Sequence, residues 1–279
     1  MNVKKSIWML GIAALLASCS SEDVPQTPQE NVKTTTFTVS LDQAMNSRAA
    51  TDDINRAIVE VYSDAEATQK EHRIVVNKGA DGKFTFSVPN LISGKKYTFL
   101  FWADDSTAAN GFGFLNLKNV GLENAVGTDA YSLATTLTPE EISQSGVVLK
   151  HALCKITIQT TVDLTTADEI KIHYPRYQTF NVLTNSANET PTTTAITASY
   201  GTYSAGDVIQ NMYVFGTQEP QTISFEYVGR PTHKVLTNVP INPNKHIVIK
   251  GDFKNIGLTN ANFSISFDEN WESSQTTDF

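Results

Sequence analysis

The chain has 279 residues, room for roughly two ordinary domains at about 100–200 residues each, which excludes a disulfide-stapled miniprotein. Its 21 Lys+Arg against 29 Asp+Glu leave a formal charge of -8, the wrong sign for a chain that neutralises phosphates, so nucleic acid is not expected as a partner. Charged residues make up only 18%, and the polar weight on Thr, Ser and Asn favours β-structure over helices.

The first segment carries Lys4 and Lys5, then an apolar run from Ile7 to Ala17 closed by small residues, the three-part build of a secretory signal. That run is too short to span a bilayer, and no later run is long enough. Leu16-Ala17-Ser18-Cys19 resembles the lipobox of bacterial lipoproteins, which implies lipidation of Cys19 and anchoring in the outer membrane. Stable anchoring needs two or more acyl chains, which such a modified cysteine supplies. Ser20, Ser21, Glu22 and Asp23 are similar to the surface-export signal of lipoproteins in Gram-negative gut anaerobes. The stretch Pro25 to Thr36, rich in Gln, Thr, Pro and Asn, has little to bury and reads as a tether.

Beyond it, period-2 alternation dominates, at Phe37-Val39-Leu41, Phe84-Phe86-Val88, Ile170-Ile172-Tyr174, Ile223-Phe225-Tyr227 and Phe263-Ile265-Phe267. Turn chemistry separates these runs, for example at Asn77 to Gly82, Ser93-Gly94 and Asn242-Pro243-Asn244. Short strands at this spacing predict an all-β chain of two tandem β-sandwiches. Lys96 to Trp102 is apolar on both faces and is expected to be a central strand covered on each side. Thr138-Pro139-Glu140-Glu141-Ile142 carries a Thr cap, Pro at the first position and acids in the first turn, a brief helix start. The run Thr190 to Thr194 reads as a loop. The expected organisation is a signal over 1–18, a tether over 19–33, and sandwich domains over 34–150 and 151–279.

Signs of chemistry are few. The histidines His72, His151, His173, His233 and His246 never fall within four positions of one another, so no local metal pair exists, although a site assembled in three dimensions stays open. Asp104-Asp105 lacks the alternating oxygen ligands of a calcium loop, and Gly111-Phe112-Gly113 is too short to cradle a phosphate. Nucleophile elbows are absent. Cys154 alternates with Ile156 and Ile158 on an inward face and reads as packing. Tyr200, Tyr203 and Trp271 are candidates for stacking on sugars but suit sheet packing better. No catalytic residue, metal or cofactor is expected.

Taken in order, several segments resemble the fimbrillin-family lipoproteins, the subunit type of type V pili. They are Cys19, the strand Thr34 to Leu41 followed by Asn46-Ser47-Arg48-Ala49, the strand Asp53 to Tyr62, Lys83 to Val88, and Tyr97 to Asp104. In the second half, Val148 to Thr157, Phe180 to Thr184 and Asn238 to Asn244 continue the pattern. The resemblance implies two transthyretin-like sandwiches and a non-catalytic surface role in a fimbria. It also implies assembly with other fimbrial subunits and attachment to a host or bacterial surface receptor. In such subunits an arginine-specific protease removes the first strand, and an extended strand from a neighbour fills the groove. Arg48 is the implied cut, in a polar stretch open to a protease; Arg56 is a poorer one, because it abuts a strand. Phe37, Val39 and Leu41 are the implied outgoing strand, and Phe263, Ile265 and Phe267 the implied donor. An anchored monomer or tip accessory is the alternative within the family. Outside it, the rival is a glycan-binding surface lipoprotein of a nutrient-uptake system.

Overall fold

The computed structural model describes residues 31–42, 53–108, 111–124, 127–188, 190–199, 201–258 and 261–268. In chain order its first elements are β1 (Val32–Leu41), β2 (Arg56–Tyr62), β3 (Lys70–Asn77), β4 (Phe84–Ile92), β5 (Tyr97–Asp104), β6 (Phe112–Asn116), β7 (Asn119–Leu122) and β8 (Ala130–Leu137). A short helix α1 (Pro139–Gln144) leads into β9 (Val147–His151). There follow β10 (Cys154–Thr160), β11 (Ile170–Arg176), β12 (Thr179–Asn181), β13 (Ser186–Ala187), β14 (Thr192–Ser199) and β15 (Val208–Val214). The last are β16 (Gln221–Tyr227), β17 (His233–Val239), β18 (His246–Gly251) and β19 (Phe263–Phe267). The chain is all-β, as the alternation predicts. Among the described residues no helix is long and apolar enough to cross a membrane.

The first layer pair is one hydrogen-bonded sheet in the order β3-β2-β5-β8-β9-β1-β4. A flat sheet would put β1 three strand spacings, about 14 Å, from β5. Instead the ring of Phe37 on β1 lies 5.9 Å from that of Phe99 on β5. The sheet is therefore folded over into a sandwich, and β9 is the fold line: Tyr131 and Ser132 of β8 pair with its end, while Val39 to Leu41 pair parallel with its start. The enclosed core includes Phe37, Val39, Phe84, Phe86, Phe99, Phe101 and Leu149.

A second sandwich packs the sheet β15-β10-β18-β19 on the sheet β14-β11-β16-β17. Its core joins Cys154, Ile156, Ile172, Phe225, Ile247 and Phe253. Cys154 is fully buried, and burial pushes its thiol far above the ordinary range, so it is packing. One expectation fails here: Thr192 to Thr194 open β14, because a run of β-branched threonines beside the exposed edge of β11 is a strand former rather than a loop.

A small sheet, β13-β12-β7-β6, draws strands from both sides of residue 150. It covers the second face of β5. Leu100 and Trp102 point away from Phe99 and Phe101 and pack with Phe112, Leu117, Val120, Phe180 and Phe215 in a third cluster. All of β5 is thus buried, which explains its unbroken apolar run. Beneath this layer lies the buried carboxylate of Glu60. It accepts hydrogen bonds from the Tyr62 hydroxyl at 2.6 Å, the Leu117 amide at 2.9 Å, Lys70 at 3.0 Å and Arg73 at 2.7 Å. Burial alone would raise its pKa, but these donors outweigh that and hold it below the ordinary carboxylate value.

Candidate functional site: the groove that holds the first strand

β1 lies between strands distant in sequence. It runs antiparallel to β4 from Val32 opposite Ile92 to Val39 opposite Phe84, and its end runs parallel to β9. Thr35, Phe37, Val39 and Leu41 face inward, while Thr34, Thr36 and Thr38 face solvent. Phe37 is the centre of the trough. It stacks on Phe86 at 5.7 Å and meets the edges of Phe99 and Phe101 at 5.9 and 6.0 Å. Aromatic contacts of this geometry add about 0.5–1.5 kcal/mol each to the burial itself.

The start of β1 is tied to α1. Thr138 caps the helix through the Glu141 amide, and Glu141 returns a bond to the Thr138 amide, a complete capping box. This fixes Glu140 so that it accepts from Lys33 Nζ, from Ser93 Oγ at 2.7 Å and from the Gly94 amide at 3.1 Å. These donors, Lys33 foremost, pull the Glu140 pKa down to about 2. The helix start and its acids are legible in sequence; a partner 107 positions away is not. At the other end the Asp42 amide donates to the Leu149 carbonyl at 2.8 Å. Cys19 and Arg48 lie outside the described residues, as do Tyr200 and Trp271.

The implied donor residues sit elsewhere. Among the described residues β19 is the edge of its sheet and pairs with β18. Phe263 stacks on Phe225 at 5.6 Å and meets the edge of Phe253 at 5.1 Å, whereas Phe267 is 53% exposed. Phe263, Ile265 and Phe267 therefore belong to the second sandwich, and Phe37, Val39 and Leu41 to the first. Arg56 is engaged in a two-pronged pair with the buried Asp104, at 2.8 and 2.7 Å. Asp105 is used by Thr107 and Asn55. The acidic pair after β5 is thus a locked strand end.

Two further polar groupings have no sequence-local signature. His151 Nδ1 lies 2.8 Å from Asp129 Oδ1 under the ring of Tyr131, at 4.3 Å between centroids, all buried. Burial and the nearby Asp129 push the Tyr131 hydroxyl far above its ordinary value, which leaves it a neutral structural group. On the solvent face of the second sandwich, His173, Glu226 and His233 converge from three strands.

The all-β sandwich architecture is similar to that of solved candidate adhesion proteins. A candidate adhesin from Bacteroides thetaiotaomicron shares it with a TM-score of 0.53 at 10% identity, over 79% of this chain and 91% of that one. A candidate cell adhesion protein from Bacteroides eggerthii does so with a TM-score of 0.51 at 11% identity, over 84% and 95%. The fimbrial anchor protein Mfa2 of Porphyromonas gingivalis gives 0.48 at 12% identity, over 84% and 96%. Residues 26–278 match the family of unknown function DUF6562, and the chain belongs to that family. No curated protein matches the sequence.

Proposed function

We propose that the chain is a non-catalytic, lipid-anchored surface protein that builds or decorates a fimbria, and that β1 is an exchangeable strand. Cys19 carries the lipid, a tether leads to β1, and the two sandwich domains stand outside the outer membrane. The observation that carries the reading is the seat of Phe37. β1 places its central ring in an aromatic trough built by β4 and β5, strands that lie further along the chain. Cleavage after Arg48 would detach β1 from the chain that follows. The trough would then expose Phe86, Phe99 and Phe101 together with the unpaired edges of β4 and β9. Each apolar side chain buried there is worth about 1.5–3 kcal/mol, so an alternating strand from another subunit has much to gain by filling it.

β19 supplies an alternating strand of that kind. Phe263, Ile265 and Phe267 repeat the spacing of Phe37, Val39 and Leu41, and among the described residues one edge of β19 is hydrogen-bonded, to β18. The fold shared with candidate adhesion proteins supports a surface role in attachment, through a host or bacterial receptor.

The test is mass spectrometry of the N-terminal peptide of surface material, with gels run before and after heating. Protein starting at Ala49 and ladders that vanish in the Arg48→Ala variant are the expected results. Protein starting only at Cys19, in a single band with affinity for glycans, would overturn strand exchange in favour of a glycan-binding lipoprotein.

A further inference from the structure

The outward face of the second sandwich carries three ligand-type side chains on three adjacent strands. Glu226 on β16 is the direct register partner of His233 on β17, and His173 on β11 stands opposite Ser224, one row along the same face. Because inward and outward residues alternate, the apolar neighbours Ile172, Phe225 and Tyr174 anchor the backbone beneath while the three polar groups meet above it. Glu226 Oε2 lies 3.0 Å from His173 Nε2 and 3.7 Å from His233 Nε2. All three ligand atoms lie within 4.8 Å of one another. The imidazole rings are nearly parallel, 5.1 Å apart at 20°.

We propose that His173, Glu226 and His233 form a surface site for a divalent transition metal, with Zn²⁺ as its natural occupant. A tetrahedral ion with bonds of about 2.0–2.1 Å needs ligand atoms about 3.3–3.4 Å apart. The two separations from Glu226, 3.0 and 3.7 Å, straddle that edge, while the two imidazoles, with centroids 5.1 Å apart, must turn their nitrogens toward each other to close the third. Two imidazoles and one carboxylate suit Zn²⁺, Cu²⁺ or Ni²⁺ and do not suit Ca²⁺ or Mg²⁺, which require oxygen ligands. His233 is 41% exposed, so the fourth position opens to water. Lys171, the register partner of Glu226 on the other side, brings an ammonium near the carboxylate. It has no lone pair to offer, so it lowers affinity without occupying a ligand position. The bound ion would add a side-chain link across β11, β16 and β17, which are already paired through their backbones.

The test is calorimetric titration of the purified full chain, free of any histidine tag, with Zn²⁺, and absorption spectroscopy with Co²⁺. We expect one ion per chain, a visible d–d spectrum of tetrahedral type, and a thermal midpoint that rises with Zn²⁺. Loss of even an outer-shell partner typically weakens metal affinity by about 10–100-fold, so Glu226→Gln should weaken it at least that much. His173→Ala with His233→Ala should abolish binding, while His72→Ala on β3 should change nothing. Melting in EDTA gives each variant its own metal-free baseline, so that loss of the Zn²⁺-dependent rise is read apart from loss of the His173–Glu226 hydrogen bond. Failure to compete with a micromolar chelator, or equal affinity in the double variant, would overturn the site.

Discussion

The ring of Phe263 occupies the space beside Gly251, its register partner on β18, so closely that a Cβ at Gly251 would stand 2.2 Å from a ring carbon. The glycine makes room for the aromatic that holds the edge strand to the second core. Gly251→Ala is therefore expected to push the ring off Phe225 and Phe253, at about 1–3 kcal/mol for overpacking. Hydrogen exchange should show the amides of β19 losing protection before those of β10. A denaturation midpoint and exchange pattern equal to the parent would show that β19 is not held by this contact.

Phe37 is expected to be the most costly residue of β1 to truncate. Phe37→Ala removes a 3% exposed ring from contact with three other phenylalanines and should cost about 3–5 kcal/mol. Thr38→Ala, next to it on the solvent face, should stay within about 0.5 kcal/mol. Urea titration of both variants reads the contrast directly.

Glu60 is fully buried and joins β2, β3 and the turn between β6 and β7. Replacing it with alanine takes the carboxylate from Lys70 and Arg73 and leaves the Leu117 amide without its acceptor. Lys70 and Arg73 keep access to water, so the cost falls mainly on the buried Leu117 amide left without an acceptor, about 1–3 kcal/mol. The expected measurement is a drop in thermal midpoint for Glu60→Ala, with the sheet β13-β12-β7-β6 the first region to exchange its amides.

The tie between β1 and α1 should respond to acid. Glu140 has its pKa lowered from 4.5 to about 2 by Lys33, Ser93 and the Gly94 amide. A depressed folded value means that the contribution is complete above pH 4.5, declines as the pH falls below it, and is gone below about 2. Hydrogen exchange of the first residues of β1 at pH 5, 3.5 and 2 should show progressive loosening in the parent. In Glu140→Gln the additional loosening across that window should be absent.

The alternating runs around Phe37, Phe86, Ile172 and Phe225 each became strands with those residues inward, because a two-residue period is a property of local backbone geometry. The double-faced character of Tyr97 to Trp102 likewise anticipated a covered strand, although not that its cover would be a small sheet with strands from both sides of residue 150. The capping box at Thr138 was readable because all its partners lie within three residues. Thr192 to Thr194 depart from the expected loop because the strand preference of β-branched threonine outweighs the low complexity of the run.

What one strand shows to its own neighbours is written in the order of its residues, and that much of this protein was settled there: its β class, the inward set of each run and the brief helix. Sheet order and register are not local quantities, since they depend on which strands minimise exposed apolar area together. Only the tertiary fold put Phe37 among Phe86, Phe99 and Phe101, Lys33 against Glu140, and His173 beside Glu226 and His233. The contacts of Phe37, Lys33 and His173 with these partners join elements 49 to 107 positions apart in the chain, and it is packing that selects them.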